Sequence, residues 1–180
     1  RSRGLSTHLD GARLFNAAVA AGGDARAAAR SIAEHFDSVS VCFSKGLGAP
    51  VGSALLGSAQ FIARAKRHRK MLGGGMRQVG LLAAAASHAL DHHIDRLAAD
   101  HALARRLAEG LAAIPALQVV SPQTNIVFAT VTDGRGAALI DHLASRGVLA
   151  TGLIGLRFVT HLDVDAAGID RAIAATREFF

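Results

Sequence analysis

The feature that most constrains this fold is a glycine-rich loop that carries one lysine between two short apolar runs. The runs are residues 38–43 and 51–56, and Lys45 lies in the loop that joins them. Runs of this length predict buried strands. A lysine beside a strand end, where glycines let a ligand approach the backbone, is suited to forming a Schiff base with a carbonyl cofactor. A solvated lysine in a glycine-rich turn is the alternative that this segment leaves open.

A second segment places a carboxylate at another predicted strand end. Residues 5–9 form a strand-like run, and Asp10 follows it where an alanine-rich helical pattern begins. The carboxyl ends of strands are where α/β folds bind ligands. A carboxylate there can pair with a protonated pyridine nitrogen. Arg13, one turn along, could reach the phenolate oxygen of such a cofactor or another anionic group. Asp10 could equally be a helix N-cap, and the two roles are compatible.

Together with two later segments, these residues resemble the low-specificity L-threonine aldolases. That family belongs to the fold-type-I enzymes that use pyridoxal 5'-phosphate (PLP), which also include the β-eliminating lyases. The matching segments follow the family's order and span nearly the whole chain. They are H-L-D-G-A-R-L-F-N-A at 8–17, S-K-G-L-G-A-P-V-G-S at 44–53, G-G-G-M-R-Q at 73–78 and L-R-F-V-T-H-L-D-V at 156–164.

The resemblance implies cofactor roles for four residues of the first two segments. Lys45 is expected to be the catalytic residue that links covalently to PLP, and Asp10 to hold the pyridine nitrogen. Arg13 is expected to contact the oxygen on the cofactor ring. Ser44 is expected to help bind the phosphate.

Three further basic residues take their expected roles from the same resemblance. Lys70 and Arg77 match the family's basic residues beside the triple glycine, in the phosphate or substrate region and with a possible reach across a subunit interface. Lys70 is assigned to the substrate and Arg77 to the cofactor. Arg157 matches the arginine that binds the substrate carboxylate, which a guanidinium can meet with two parallel hydrogen bonds.

The resemblance also implies an α/β fold and a domain order. Residues 1–95 are expected to be the carboxyl-terminal part of the large PLP-binding domain plus an interdomain helix, and residues 96–180 a small α+β domain. A family member has roughly as much sequence again upstream, including the glycine-rich phosphate loop and the histidine that stacks on the cofactor. The chain is therefore expected to be a carboxyl-terminal portion of an enzyme.

Helical and strand-like patterns predict the remaining elements. Asp24 is expected to cap one helix, and a basic helix is expected to run from about residue 58 to the triple glycine. One long helix, with a possible kink, is expected from about residue 76 to 110. The remaining predicted elements are strands at 117–120, 125–131 and 156–160, and helices at 135–145 and from 165 onward.

Composition narrows the partners and the compartment. The single Cys42 excludes an internal disulfide, fits a reducing cytoplasm and is expected to be a core residue. The net charge is +6, with cations concentrated at residues 64–70. No aromatic residues interleave them, so a solvated helix end is favoured over nucleic-acid binding. No apolar run approaches the ~20 residues of a membrane helix, and no membrane partner is expected.

Other possible sites have weaker support. A dense histidine and carboxylate cluster has two histidines four residues apart, as metal ligands often are, but no third ligand at a fixed spacing. A polar stripe or an interface is favoured there, and no metal is expected. The triple glycine is not followed by the P-loop residues, and no G-x-S-x-G is present. His161 either shapes the substrate pocket or packs. The cluster consists of His88, Asp91, His92, His93, Asp95 and His101.

The activity implied by the resemblance is aldol cleavage of L-threonine or L-allo-threonine to glycine and an aldehyde. The reaction would belong to the intact enzyme, a cytoplasmic homo-oligomer (dimer or tetramer) acting on a small amino acid. Two alternatives stay open. One is a related PLP-dependent β-eliminating lyase, and the other is a catalytically inactive association module.

Overall fold

The computed structural model describes residues 3–152 and 155–180. The chain divides into two compact units, one up to Arg96 and one from Leu97 onward. The assignment of residues 1–95 and 96–180 to a large and a small domain of the family stays a prediction. None of the helices within the described ranges combines the length and the apolarity needed to cross a bilayer.

The first unit has strands and helices in the order expected of an α/β fold. Its described elements are β1 (His8–Gly11), α1 (Leu14–Ala21), α2 (Ala25–Ala33), β2 (Ser38–Cys42), β3 (Ser53–Gly57), α3 (Ala59–Met71) and α4 (Gly80–His92). The strands form a sheet of order β1-β2-β3. β1 and β2 run parallel, with Asp10 opposite Ser40, whereas β2 and β3 run antiparallel.

The core of the first unit lies between the central strand and the first two helices. Val39 and Val41 share one face of β2, because side chains alternate along a strand, and they pack with buried Leu14 and Ala18 of α1. Cys42 lies on the opposite face of β2 and is half-buried. The prediction that Cys42 is a core residue is therefore wrong.

Two strands of this unit begin later than the sequence pattern predicted. β1 starts at His8, since Leu5 is exposed and strand pairing begins only where Thr7 bonds to the backbone of Asp37. β3 starts at Ser53 because the preceding Gly52 has a φ of 109°, a left-handed value that interrupts an extended strand. In both cases apolar composition extended beyond the paired backbone.

The helix starts follow the capping residues. Asp24 accepts a hydrogen bond from the Ala27 amide, which confirms it as the cap of α2. Ser58 caps α3 in the same way, accepting from Phe61. None of the residues of α3 is buried, so its cations are solvated, and those in the last turn complement the helix dipole.

The long helix predicted from residue 76 to 110 is two helices. α4 ends at His92, a turn covers residues 93–96, and a new helix begins at Leu97. Ala89, Ile94 and Leu97 are all buried, so helical spacing of apolar residues continues through the turn. Periodicity alone could not reveal the break, because the turn preserves it.

The second unit is a small α+β assembly. Its described elements are α5 (Leu97–Ala112), β4 (Leu117–Val120), β5 (Ile126–Val131), α6 (Gly136–Ser145), β6 (Leu156–Val159) and α7 (Ala166–Phe179). The strands form an antiparallel sheet of order β4-β5-β6. Its core packs Leu107 and Leu111 of α5 against Val127, Phe158 and Ile169, which lie on the sheet and α7. The predicted elements from residue 117 onward are confirmed with small shifts at their ends.

Candidate active site

Asp10 and Lys45 lie at the same edge of the first sheet. Asp10 is the third residue of β1, and Lys45 follows three residues after the end of β2 at Cys42. The two strands are parallel neighbours, and their carboxyl ends therefore meet at one edge. Ser44 shares this edge with Lys45. The backbone thus places the carboxylate at the same sheet edge as a hydroxyl and an amine that lie far from it in sequence.

The carboxylate of Asp10 is fixed by a local hydrogen bond. Its Oδ1 accepts from the Ala12 amide at 3.1 Å, the pattern of an Asx turn, and the side chain is exposed. The N-cap of α1 is Arg13, not Asp10. The interpretation of Asp10 as a helix cap is therefore wrong. Because the turn uses Oδ1, the second oxygen stays able to accept a hydrogen bond from a ligand.

The loop that carries Lys45 is held by its own backbone. The Gly48 amide donates to the Lys45 carbonyl at 2.9 Å and closes a tight turn around the lysine. The Ala49 amide donates to the Phe43 carbonyl, and the Phe43 amide to the Gly52 carbonyl, each at 2.9 Å. Gly48 has a φ of 72°, which a residue with a side chain rarely adopts.

The residues of this loop differ in burial: two of its apolar side chains are buried and its polar ones are exposed. Leu47 is 3% exposed and Ala49 is 7% exposed, whereas the side chains of Ser44 and Lys45 are exposed. The loop therefore packs through its apolar residues and presents its hydroxyl and amine outward. This arrangement is unlike a mobile solvated turn, which would bury neither residue.

His93 contacts this loop, a role that the sequence did not reveal. Its Nδ1 lies 2.6 Å from the Leu47 carbonyl oxygen, across 46 residues of sequence. From sequence, His93 stood out only as a member of the histidine cluster. Within that cluster, the rings of His88 and His92 lie 4.4 Å apart and those of His88 and His93 5.3 Å apart. Among the described residues, no three candidate ligands converge as a metal site needs.

Two of the remaining predicted site residues of the first unit lie on either side of the triple glycine. Lys70 is in the last turn of α3, and its side chain passes over Gly75. A Cβ at Gly75 would lie 2.6 Å from Lys70 Cδ, so the absence of a side chain lets the lysine take this path. Arg77 follows and is exposed. Arg13 is half-buried at the start of α1, three residues after Asp10.

Arg157 belongs to the second unit. It lies on β6, where Leu156 and Phe158 face the core, so the arginine is on the other face of the sheet. Its backbone is held on both sides, by pairing with Phe128 of β5 and by two hydrogen bonds with Thr151. A guanidinium on such a fixed strand is well placed to bind an anion outside the core.

Other polar groups of the second unit serve its structure. His161 is exposed, and its Nδ1 accepts from the Asp163 amide at 3.3 Å, so a packing role is not observed. His101 is buried in α5, and this burial lowers its pKa. Hydrogen bonds from Arg135 lower the pKa of Asp133. His101 and Asp133 are both far from Arg157 in sequence.

The match to a family model settles the relationship. The model of the beta-eliminating lyases matches residues 1–134. This chain belongs to the beta-eliminating lyase family. It is 44% identical to the low specificity L-threonine aldolase of Escherichia coli O157:H7 over 179 residues, which is 99% of this chain. It is 48% identical over 135 residues to a protein of Arabidopsis thaliana named as a probable low-specificity L-threonine aldolase 2, covering 74% of this chain and 37% of the plant protein. The resemblance drawn from the sequence is confirmed.

The fold agrees with that relationship. A crystal structure from Exiguobacterium sp. 255-15, described as an aromatic amino acid beta-eliminating lyase/threonine aldolase, superposes with a TM-score of 0.75 at 25% identity. The match covers 100% of this chain and 54% of that one. It confirms the predicted fold-type-I α/β class. The chain spans about half the length of the curated relatives it matches, 52% of the Escherichia coli protein.

Proposed function

We propose that this chain contributes to a PLP-dependent aldolase that cleaves β-hydroxy-α-amino acids such as L-threonine and L-allo-threonine to glycine and an aldehyde. One structural observation supports the proposal above the others. Asp10 and Lys45 occupy the same edge of a sheet, at the ends of neighbouring parallel strands. The relatives named as threonine aldolases favour this substrate class.

The donor set at this edge fits the chemistry of PLP. An exposed amine can form a covalent link with an aldehyde, and a carboxylate with one oxygen available can hold a proton on the pyridine nitrogen. When bound, PLP withdraws electron density from the substrate α-carbon and so makes cleavage of its bonds easier. Ser44 would bind the phosphate, and Arg13 and Arg77 would contact anionic groups of the cofactor.

The substrate side of the proposal rests on Arg157 and Lys70. Arg157 would bind the amino-acid carboxylate with two parallel hydrogen bonds, which fixes the orientation of the Cα–Cβ bond. Lys70 would add positive charge toward the substrate. The proposed enzyme is a cytoplasmic homo-oligomer, whose large and small domains contain residues 1–95 and 96–180 respectively.

Product analysis tests this function. The protein expressed from its complete gene is incubated with PLP and L-threonine, and we expect glycine and acetaldehyde in equal amounts. Ammonia and 2-oxobutanoate in their place would identify the β-eliminating alternative, which the name of the family model favours. No products, with no change in PLP absorbance, would favour an inactive association module. A Lys45→Ala variant controls for reaction with free cofactor.

A further inference from the structure

We infer that His93 is a positioning residue for Lys45, acting through the carbonyl group of Leu47. The inference rests on the proposed function, which gives Lys45 its role. The contact is 2.6 Å from Nδ1 to the carbonyl oxygen and joins the end of α4 to the middle of the Lys45 turn. Leu47 lies two residues after Lys45, within the turn that the Gly48 amide closes.

The chemistry of this contact fixes which nitrogen carries the proton. A carbonyl oxygen only accepts hydrogen bonds, so Nδ1 of His93 must be the donor. Nδ1 carries a proton in the imidazolium form as well as in this neutral tautomer. The hydrogen bond can therefore form with either the neutral or the charged ring.

The helix end that carries His93 is itself held in place. The His93 amide donates to the Ala89 carbonyl, and Ala89 and Ile94 are buried on either side. Arg26 of α2 donates to the Leu90 carbonyl at 2.7 Å, with Asp91 3.7 Å away. The His93 imidazole thus extends from a helix end that is held in place, and its hydrogen bond to Leu47 restrains the Lys45 loop.

The hydrogen bond between His93 and Leu47 restrains the backbone that carries Lys45. The Leu47 side chain is buried, so the His93 hydrogen bond is made to a residue whose side chain is itself held by packing. The His93 bond then fixes the orientation of the peptide group that follows Leu47. With the Gly48 amide bonded to the Lys45 carbonyl, the lysine backbone has few alternative orientations. A fixed attachment point reduces the ordering that cofactor capture requires.

Three variants separate the hydrogen bond from the ring. His93→Asn keeps a donor, because its side-chain amide nitrogen is as far from the backbone as Nδ1. His93→Phe keeps a ring and removes the donor, and His93→Ala gives the same comparison if the phenyl ring is not accommodated. His92→Ala is the matched control, since it removes the adjacent imidazole, which contacts the His88 ring and makes no hydrogen bond to the described residues of the loop.

Hydrogen exchange of the Gly48 and Ala49 amides is measured in the protein expressed from its complete gene, without PLP. We expect exchange about three- to tenfold faster in His93→Phe or His93→Ala, matching the usual net contribution of one hydrogen bond. His93→Asn and His92→Ala should exchange as the unchanged protein does. Unchanged exchange in the variants without a donor, or faster exchange in His93→Asn as well, would overturn the inference.

Cofactor capture gives the second readout. With PLP added, the visible absorbance of the protein-bound cofactor should appear more slowly in His93→Phe than in His93→Asn, while KM for threonine stays unchanged. Equal rates of capture would overturn the positioning role. If neither the wild-type protein nor any variant binds PLP, the proposed function fails. The exchange experiment still decides whether His93 orders the loop.

Discussion

Asp10 and Lys45 reach solvent at one sheet edge but are fixed there by different means. Asp10 is oriented by its own side chain, which accepts from the Ala12 amide. Lys45 is oriented by backbone hydrogen bonds on both sides of it, and its amine makes no hydrogen bond or ion pair among the described residues. A carboxylate held through one oxygen and an unpaired amine are the groups that a ligand can still engage.

Replacing Asp10 by asparagine tests the proposed charge without changing the turn. The amide oxygen can still accept from Ala12, so the local fold should be retained. A neutral side chain cannot hold a proton on the pyridine nitrogen, and preorganised groups of this kind contribute ~3 kcal/mol to a barrier. We expect kcat for threonine to fall by about a hundredfold or more, while PLP still attaches. Steady-state kinetics and cofactor absorbance measure the two effects.

The control for this variant is Asp141→Asn, which neutralises an exposed carboxylate on α6. It should leave kcat unchanged. If Asp10→Asn also retained the kcat of the unchanged protein, the role of Asp10 would be limited to its turn.

The sequence predicted the residues at the sheet edge because they depend on local patterns. A strand-like run followed by Asp10, and a second run followed by Lys45, place both groups at strand ends. The contact between His93 and Leu47 could not be predicted, because it joins residues 46 positions apart and depends on where α4 ends. Long-range contacts of single side chains leave no periodic signal.

At the scale of elements, the ends of helices and strands decide which residues can act. α4 stops at His92, and this end point leaves the next imidazole able to contact the Lys45 loop. The sequence predicted β4 at its observed residues, because Pro115 marks the preceding boundary. It did not predict the break after α4, since the buried face continues across the turn.

The packing of α5 against α7 depends on Gly110. A Cβ at that position would lie 2.3 Å from Cδ1, 2.7 Å from Cγ1 and 3.1 Å from Cγ2 of Ile173. Because three atoms of one side chain conflict, a rotamer change cannot relieve them all. Overpacking costs about 1–3 kcal/mol, and alanine recovers about 1 kcal/mol in helix propensity. We expect Gly110→Ala to lower the free energy of unfolding by up to about 2 kcal/mol in urea titrations.

Gly80→Ala is the matched control, because a Cβ at this first residue of α4 would meet nothing within 4 Å. It should leave the free energy of unfolding unchanged or raise it by up to ~1 kcal/mol. Equal stability of the two variants would show that α5 and α7 adjust to the added methyl group without cost.

At the scale of the whole molecule, the residues proposed for cofactor and substrate are distributed over both compact units. Asp10 and Lys45, proposed for the cofactor, belong to the first unit, and Arg157, proposed for the substrate carboxylate, belongs to the second. The family relationship extends across this division, since its model matches residues 1–134. The family and the fold class were predictable because the matching segments are spread along the sequence in the family's order.

The central claim is that Lys45 is the residue that holds the cofactor. The chain has three lysines, Lys45, Lys66 and Lys70, so borohydride reduction with PLP bound, followed by peptide mapping, gives an unambiguous answer. We expect the label on Lys45, and its loss in a Lys45→Arg variant. A label on Lys66 or Lys70, or none on any lysine of this chain, would contradict the account.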